Sequence, residues 1–147
     1  MILYLINLIN MLELEKENLG KPINPKIEIN PEKASETIPQ AWEKKWNWYY
    51  NWEWAMAECK FLKKRMPTKE EWKEIVKSYW EDWKRLSKNY DLPFAGSYNN
   101  WQSTDANYWS SSTTSTYSYY LYFYTSNIFP TYYTVRAYGF SVRCIKN

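Results

Sequence analysis

Apolar side chains recur along this chain in two rhythms, a helical one in the middle and a strand-like one in the last third. The clearest helical signal begins at Thr68, which with Glu71 makes a capping box directly after Pro67. Trp72, Ile75, Val76, Tyr79, Trp80 and Trp83 then follow at intervals of three and four, an apolar stripe that predicts a helix from about Lys69 to Lys88. Its Trp face should pack beneath a sheet, leaving Lys73, Glu74, Lys77, Glu81 and Lys84 to water. An earlier helix, capped by Asn51 and running to about Lys64, would place Ala55, Cys59 and Leu62 on one face. From Tyr119 to Tyr124 the rhythm changes to two. Leu121 and Phe123 should face the core, and Tyr120, Tyr122 and Tyr124 should form an outward row.

Turn residues divide the remainder. Asp91, Pro93 and Gly96 break the chain before the last third, and Ser126, Asn127 and Pro130 signal a turn within it. Phe140, Val142 and Cys144 alternate as a final strand should. At the other end, Ile2, Leu5, Ile9 and Leu12 fall at spacings of three and four. They read either as a cover over the domain's own core or as a seam for a homo-oligomer. Residues 1–40 form an N-terminal segment and a Pro-rich connector. Pro22, Pro25, Pro31 and Pro39 admit short extended pieces such as Lys26 to Ile29 but no long helix. Residues 41–147 form the domain. Its first stretch, Trp42 to Trp54, carries five Trp and two Tyr, and Trp46, Trp48 and Tyr50 alternate as in a strand. Core filling and a sugar-stacking platform are the two uses of such a cluster. Helices followed by short strands make the whole an α+β domain.

Composition removes several classes of chemistry. The 147 residues include no His, so the usual general base, zinc ligand and histidine-dependent serine triad are missing, and no metal site or cofactor is expected. Three glycines do not build a phosphate-cradling loop. With 19 basic and 16 acidic residues the net charge is +3, too small and too interleaved to argue for nucleic acid. The opening apolar run lacks the basic flank and cleavage site of a signal peptide and is too short to span a bilayer, so no transmembrane segment is expected.

One stretch stands apart. Between Asp105 and Arg136 there is no charged side chain, and Tyr, Ser and Thr dominate. Recognition surfaces use this mixture, because Tyr offers a large amphipathic contact at small rotamer cost while Ser, Thr and Asn adapt their hydrogen bonds. An aromatic-rich sheet core would use much the same residues.

The segments YWSSS, LYF and RAYGFSVRCIK resemble the C-terminal end of C-type-lectin-fold domains, in particular the variable proteins of diversity-generating retroelements. Trp52 to Trp72, WEWAMAECKFLKKRMPTKEEW, is similar to the helix and R-L-P-T-x-x-E-W signature of the formylglycine-generating-enzyme branch of that fold, with Met66 in place of the signature's Leu. The two matches cover about Asn51 to Lys146. They imply a C-type lectin fold with two helices packed on a small irregular antiparallel sheet, long C-terminal loops, and a variable display region at about 98–138. In that family, adenine-directed mutagenesis of Asn codons never yields Lys, Glu, Gln, Met or Trp, and none of these occurs from Thr113 to Val135. A Tyr-rich strand would lack them too.

The resemblance further implies a division of labour. Leu121, Phe123, Pro130, Arg136, Ala137 and Gly139 would be scaffold. The ligand-binding positions would be Tyr120, Tyr122, Tyr124, Phe129, Thr131, Tyr132, Tyr133, Thr134, Val135 and Tyr138. Related domains often link the elements that carry Cys59 and Cys144, which implies a disulfide; two buried free thiols are the alternative. Arg65 near Glu71 reads as a structural ion pair, and Arg136 and Arg143 as pins on carbonyl groups. The reactive cysteine pair of the formylglycine-generating enzymes is absent, as are the Glu-Pro-Asn and Trp-Asn-Asp calcium signatures of sugar-binding lectins. The expectation is therefore a non-enzymatic display protein, viral, bacterial or archaeal, carried on a virion or cell surface, whose partner is a protein or other macromolecule. An oxidase relative and a carbohydrate-binding module are the alternatives.

Overall fold

The computed structural model describes residues 14–26, 28–29, 40–44, 47–78, 81–90, 92–98 and 104–147. Among them the chain is mixed α+β, with three helices and small sheets that are antiparallel except for one short parallel pair. In order the elements are β1 (Glu28–Ile29), β2 (Gln40–Lys44), β3 (Asn47–Tyr50), α1 (Trp52–Phe61), β4 (Lys64–Arg65), α2 (Lys69–Ser78) and α3 (Trp83–Tyr90). Then come β5 (Ala106–Thr113), β6 (Tyr117–Tyr124), β7 (Asn127–Val135) and β8 (Ile145–Lys146). Strands β1, β2 and β3 form one sheet, β4 and β8 a second, and β5, β6 and β7 a third in that order.

The β5–β6–β7 sheet separates two cores. Because successive strand residues point to opposite faces, Tyr108, Leu121 and Phe123 turn to one side, where they meet Trp72, Ile75 and Val76 of α2 and Leu86 of α3. Trp109 turns to the other side and packs with Tyr50, Ala55, Cys59, Met66, Phe140, Val142 and Cys144. Trp42, Trp72 and Trp109 are completely buried. Two of them meet the polar demand of the indole through backbone carbonyls, Trp72 Nε1 donating to Trp109 (3.2 Å) and Trp109 Nε1 to Tyr50 (2.7 Å). Of the Trp42–Trp54 cluster, Trp42 is buried and Trp48, Trp52 and Trp54 are half-buried against the core, Trp46 lies outside the described residues, and among the described tryptophans none is an exposed platform.

The helices differ from expectation at their ends. Asn51 caps α1 through a bond from the Trp54 N–H (3.2 Å), but the helix stops at Phe61 rather than Lys64, where Lys63 turns left-handed at φ 60°. The capping box at α2 is complete, with Thr68 N–H on Glu71 Oε1 (2.9 Å) and Glu71 N–H on Thr68 Oγ1 (3.1 Å). The single helix expected from Lys69 to Lys88 is two. Glu81 adopts φ 54°, its N–H returns to the Val76 carbonyl (3.1 Å), and Asp82 accepts from the Lys84 N–H (2.9 Å) to start α3. Three described helices thus replace the expected two, and Tyr79 and Trp80 lie outside the described residues.

The C-terminal third is also more regular than the expected long loops, since β5, β6 and β7 occupy most of residues 106–135. Pro130, read as part of a turn, lies inside β7, and the turn itself is Thr125–Ser126. The run from Phe140 to Cys144 is not a strand with one wet face. All its residues are buried, held by bridges from Phe140 to Tyr50 and from Ser141 to Tyr108, and strand pairing begins only at Ile145.

Residues 14–24 wrap this body. Glu15 and Leu19 donate their N–H groups to the carbonyls of Cys144 (3.0 Å) and Val142 (2.9 Å), Arg143 Nη1 holds the Glu15 carbonyl (3.0 Å), and the buried Glu58 carboxylate accepts from the N–H groups of Ile23 (2.7 Å) and Asn24 (3.1 Å). Cys59 and Cys144 are joined by a disulfide that ties α1 to the C-terminal run. The seam at Ile2, Leu5, Ile9 and Leu12 lies outside the described residues. No helix among the described residues is long and apolar enough to cross a membrane.

Candidate ligand-binding face

The strand register decides where each candidate side chain goes. Tyr120 pairs with Tyr132 and Tyr122 with Phe129, so between these pairs β6 advances by two residues and β7 by three. This bulge at Pro130 and Thr131 brings Phe129 and Tyr132 to the same face, although their spacing in sequence would set them opposite. The result is a continuous ladder of rings. Phe129 stacks on Tyr132 (centroids 4.5 Å), Tyr122 on Tyr132 (5.5 Å, planes 13° apart) and on Phe129 (5.9 Å), and Tyr124 leans on Tyr122 (5.6 Å). Tyr120 closes the ladder against Tyr132 (6.1 Å) and Tyr122 (6.3 Å), while Tyr138 reaches it through Phe140 (6.1 Å). Tyr122 with Tyr132 and Tyr122 with Phe129 are contacts across the two strands, whereas Phe129 with Tyr132 and Tyr122 with Tyr124 run along one strand.

Six of the ten candidates therefore meet in one ladder: Tyr120, Tyr122, Tyr124, Phe129, Tyr132 and Tyr138. Thr134 pairs with Ser118 on that face, where Arg136 closes the end by bonding Ser118 Oγ (3.1 Å) and the Thr114 carbonyl (2.9 Å) while its guanidinium lies over Trp52. Thr131, Tyr133 and Val135 are not on it. Tyr133 packs against Tyr117 (5.6 Å) and Tyr119 (5.9 Å), which share a parity with Leu121 and so belong to the α2 side of the sheet. The candidates divide over the two faces of β7.

Exposure varies among the candidate positions. Tyr133 is 60 % exposed, Tyr138 42 % and Tyr132 41 %, whereas Tyr120, Tyr122 and Tyr124 are half-buried. Among the positions read as scaffold, Leu121, Phe123, Ala137 and Gly139 are buried. Burial first, then neighbouring hydroxyls and Asp105, push the Tyr120 phenol up to about 12. Burial and Asp105 also raise Tyr122. Tyr120 and Tyr122 therefore offer neutral hydroxyls that both donate and accept. Asp105 stands at the Tyr124 end with Asn107, whose Nδ2 donates to Oδ1 (3.2 Å); burial raises its carboxyl more than that bond lowers it.

On the opposite side, Lys69, Glu70 and Lys73 of α2 with Tyr119, Thr131 and Tyr133 line a crevice of about 530 Å³. Lys69 Nζ sits over the Tyr119 ring at 4.2 Å. Sequence reading passed over Tyr117, Tyr119 and these lysines, because strand parity assigns the tyrosines to the core and helical parity assigns the lysines to solvent. The signal that could find them is length: the apolar stripe of α2 covers Leu121 and Phe123 but ends before Tyr117.

Comparison with protein-family models, with curated proteins and with solved structures finds no match to this chain.

Proposed function

We propose that this protein is a ligand-binding display domain of the C-type-lectin-fold variable type, made by a diversity-generating retroelement, and that its Tyr-rich C-terminal surface recognises a protein ligand. The observation that carries the reading is the ring ladder, whose members other than Tyr120 lie outside the two cores: Trp72 with Leu121 and Phe123 on one side, Trp109 with Phe140 and Cys144 on the other, with Tyr120 packed on the second. Side chains that do not hold the fold together are free to change, and a surface of rings and hydroxyls binds by stacking, apolar contact and hydrogen bonding without a covalent step. Cys59 and Cys144 are bonded to each other and buried, which supports a structural role for the pair. Sugar stacking on tryptophan is disfavoured because the described tryptophans are core or half-buried.

The test replaces Tyr122, Tyr124, Tyr132 and Tyr133 together with Ser. The expected result is a melting temperature within a few degrees of the parent; loss of cooperative folding would place these rings in the core and end the reading. The retroelement assignment has its own check: neighbouring DNA should hold a near-copy of the segment encoding residues 98–138 that differs at adenines, beside a reverse transcriptase gene.

A further inference from the structure

Strand β7 lies at one end of its sheet. Among the described residues it pairs with β6 alone, and no other backbone hydrogen bond reaches Asn127 to Thr134 from outside that pair. Alternate N–H and C=O groups of an antiparallel edge strand point away from its neighbour, so this edge is a template for one more strand. Pro130 donates no hydrogen bond, which suits an edge position and limits the continuous template to Thr131–Val135. These five residues carry no charge of their own, and Tyr132, Tyr133 and Val135 among them are exposed.

The two flanks of the edge differ in chemistry. On one lies the ladder of Tyr122, Phe129 and Tyr132, apolar apart from its hydroxyl tips. On the other lies the crevice lined by Lys69, Glu70 and Lys73 of α2, where two ammonium groups face one carboxylate. A strand laid along β7 would turn successive side chains to the two flanks in alternation. One set would rest on rings, and the other would approach ammonium groups.

We propose that the open edge of β7, Thr131 to Val135, receives an extended segment of the protein ligand as an added strand, and that the preferred segment alternates apolar with acidic side chains. Main-chain hydrogen bonds supply the common part of the affinity and the two flanks supply the preference. This rests on the display reading above and gives it a partner chemistry. It also accounts for candidate positions on both faces of one strand: a ligand that straddles an edge touches both.

The test uses the full chain and capped synthetic heptapeptides, one alternating Val with Glu, one alternating Val with Lys, and a Val/Glu peptide N-methylated at every second residue. Amide chemical shifts should move at Thr131 to Val135 on adding the Val/Glu peptide, with affinity about tenfold or more above that for the Val/Lys peptide and for the N-methylated one. Lys69→Glu with Lys73→Glu, both changes outside the cores, should reverse the charge preference. The proposal is overturned if the Val/Glu and Val/Lys peptides bind alike, if the shifts map away from β7, if N-methylation has no effect, or if sedimentation shows β7 already covered by a second copy of the chain. Any of these outcomes, with the four-tyrosine variant still folded, removes the added strand and leaves the display reading standing.

Discussion

The ring of Tyr120 meets the indole of Trp109 edge-on, centroids 6.2 Å apart, across the β5–β6 pair. Tyr120 also lies 4.5 Å from Phe140, so the innermost rung of the surface ladder is the outermost ring of a core. Tyr133, in the neighbouring β6–β7 pair opposite Tyr119 and on the other face of the sheet, touches other tyrosines and is 60 % exposed. Truncation should separate the two. Tyr120→Ser is expected to cost about 2–3 kcal/mol, as for a ring half-buried against a core, and Tyr133→Ser at most about 0.5 kcal/mol. Urea unfolding of the two variants checks this; equal losses would mean that the boundary between display face and core is drawn in the wrong place.

How much of this was legible beforehand depends on the range of the interactions. The capping box of Thr68 and Glu71 is a local pattern, and the alternation that buries Leu121 and Phe123 needs only strand parity; both could be read directly. The break at Glu81 could not, because its left-handed backbone is borne by a residue with a Cβ where glycine would have been the signal. Nor could the bulge at Pro130 and Thr131, which depends on the partner strand and reverses the parity of everything after it. The strap of residues 14–24 rests on Glu58, Val142, Arg143 and Cys144, far away in sequence, so its path was legible only as something wrapped on the domain.

The Arg65–Glu71 pair should make stability sensitive to acid. Burial alone would raise the Glu71 carboxyl, but two bonds from Arg65, together with the Thr68 N–H and hydroxyl, outweigh it and hold the group below the ordinary glutamate range. A carboxyl lowered on folding contributes stability that is present above its unfolded pKa and is lost as pH falls through the folded one. Asp105 and Glu53 act in the opposite sense, because burial raises both and their contribution fades as pH rises. Glu71→Gln isolates the pair: the variant should be less stable than the parent at pH 7, and the gap should close below about pH 4. Denaturant unfolding at the two pH values measures the gap, and a gap independent of pH would deny the carboxylate its role.

The disulfide between Cys59 and Cys144 closes a sequence separation of 85 residues and joins α1 to the run that also anchors residues 14–19. In the chain-entropy account a loop of this length contributes about 4 kcal/mol by restricting the unfolded state. Cys59→Ala with Cys144→Ala should lower stability by about that amount, and the parent protein under dithiothreitol should move toward the variant. Because both sulfurs are buried, reduction of the folded chain should be slow and should follow global unfolding. An unchanged denaturation midpoint in the double variant would refute the assignment of stability to this link.

Gly139 marks a place where the scaffold admits no side chain. A Cβ there would lie 2.7 Å from the Tyr98 Cβ and 3.0 and 3.1 Å from two ring carbons of Trp42. Trp42 cannot easily retreat, since it is fully buried and stacked on Tyr98 with ring centroids 5.0 Å apart. Nor can the backbone, since the Gly139 carbonyl accepts from the Tyr98 N–H (2.9 Å) and the next residue, Phe140, exchanges hydrogen bonds with Tyr50. Gly139→Ala should therefore cost about 1–3 kcal/mol through overpacking. The adjacent exposed Tyr138→Ala should cost at most about 0.5 kcal/mol, so the pair contrasts a packed position with an exposed one a residue away. A Gly139→Ala variant as stable as the parent in chemical denaturation would show that the Trp42–Tyr98 stack yields, and that this turn can be varied along with the tyrosines.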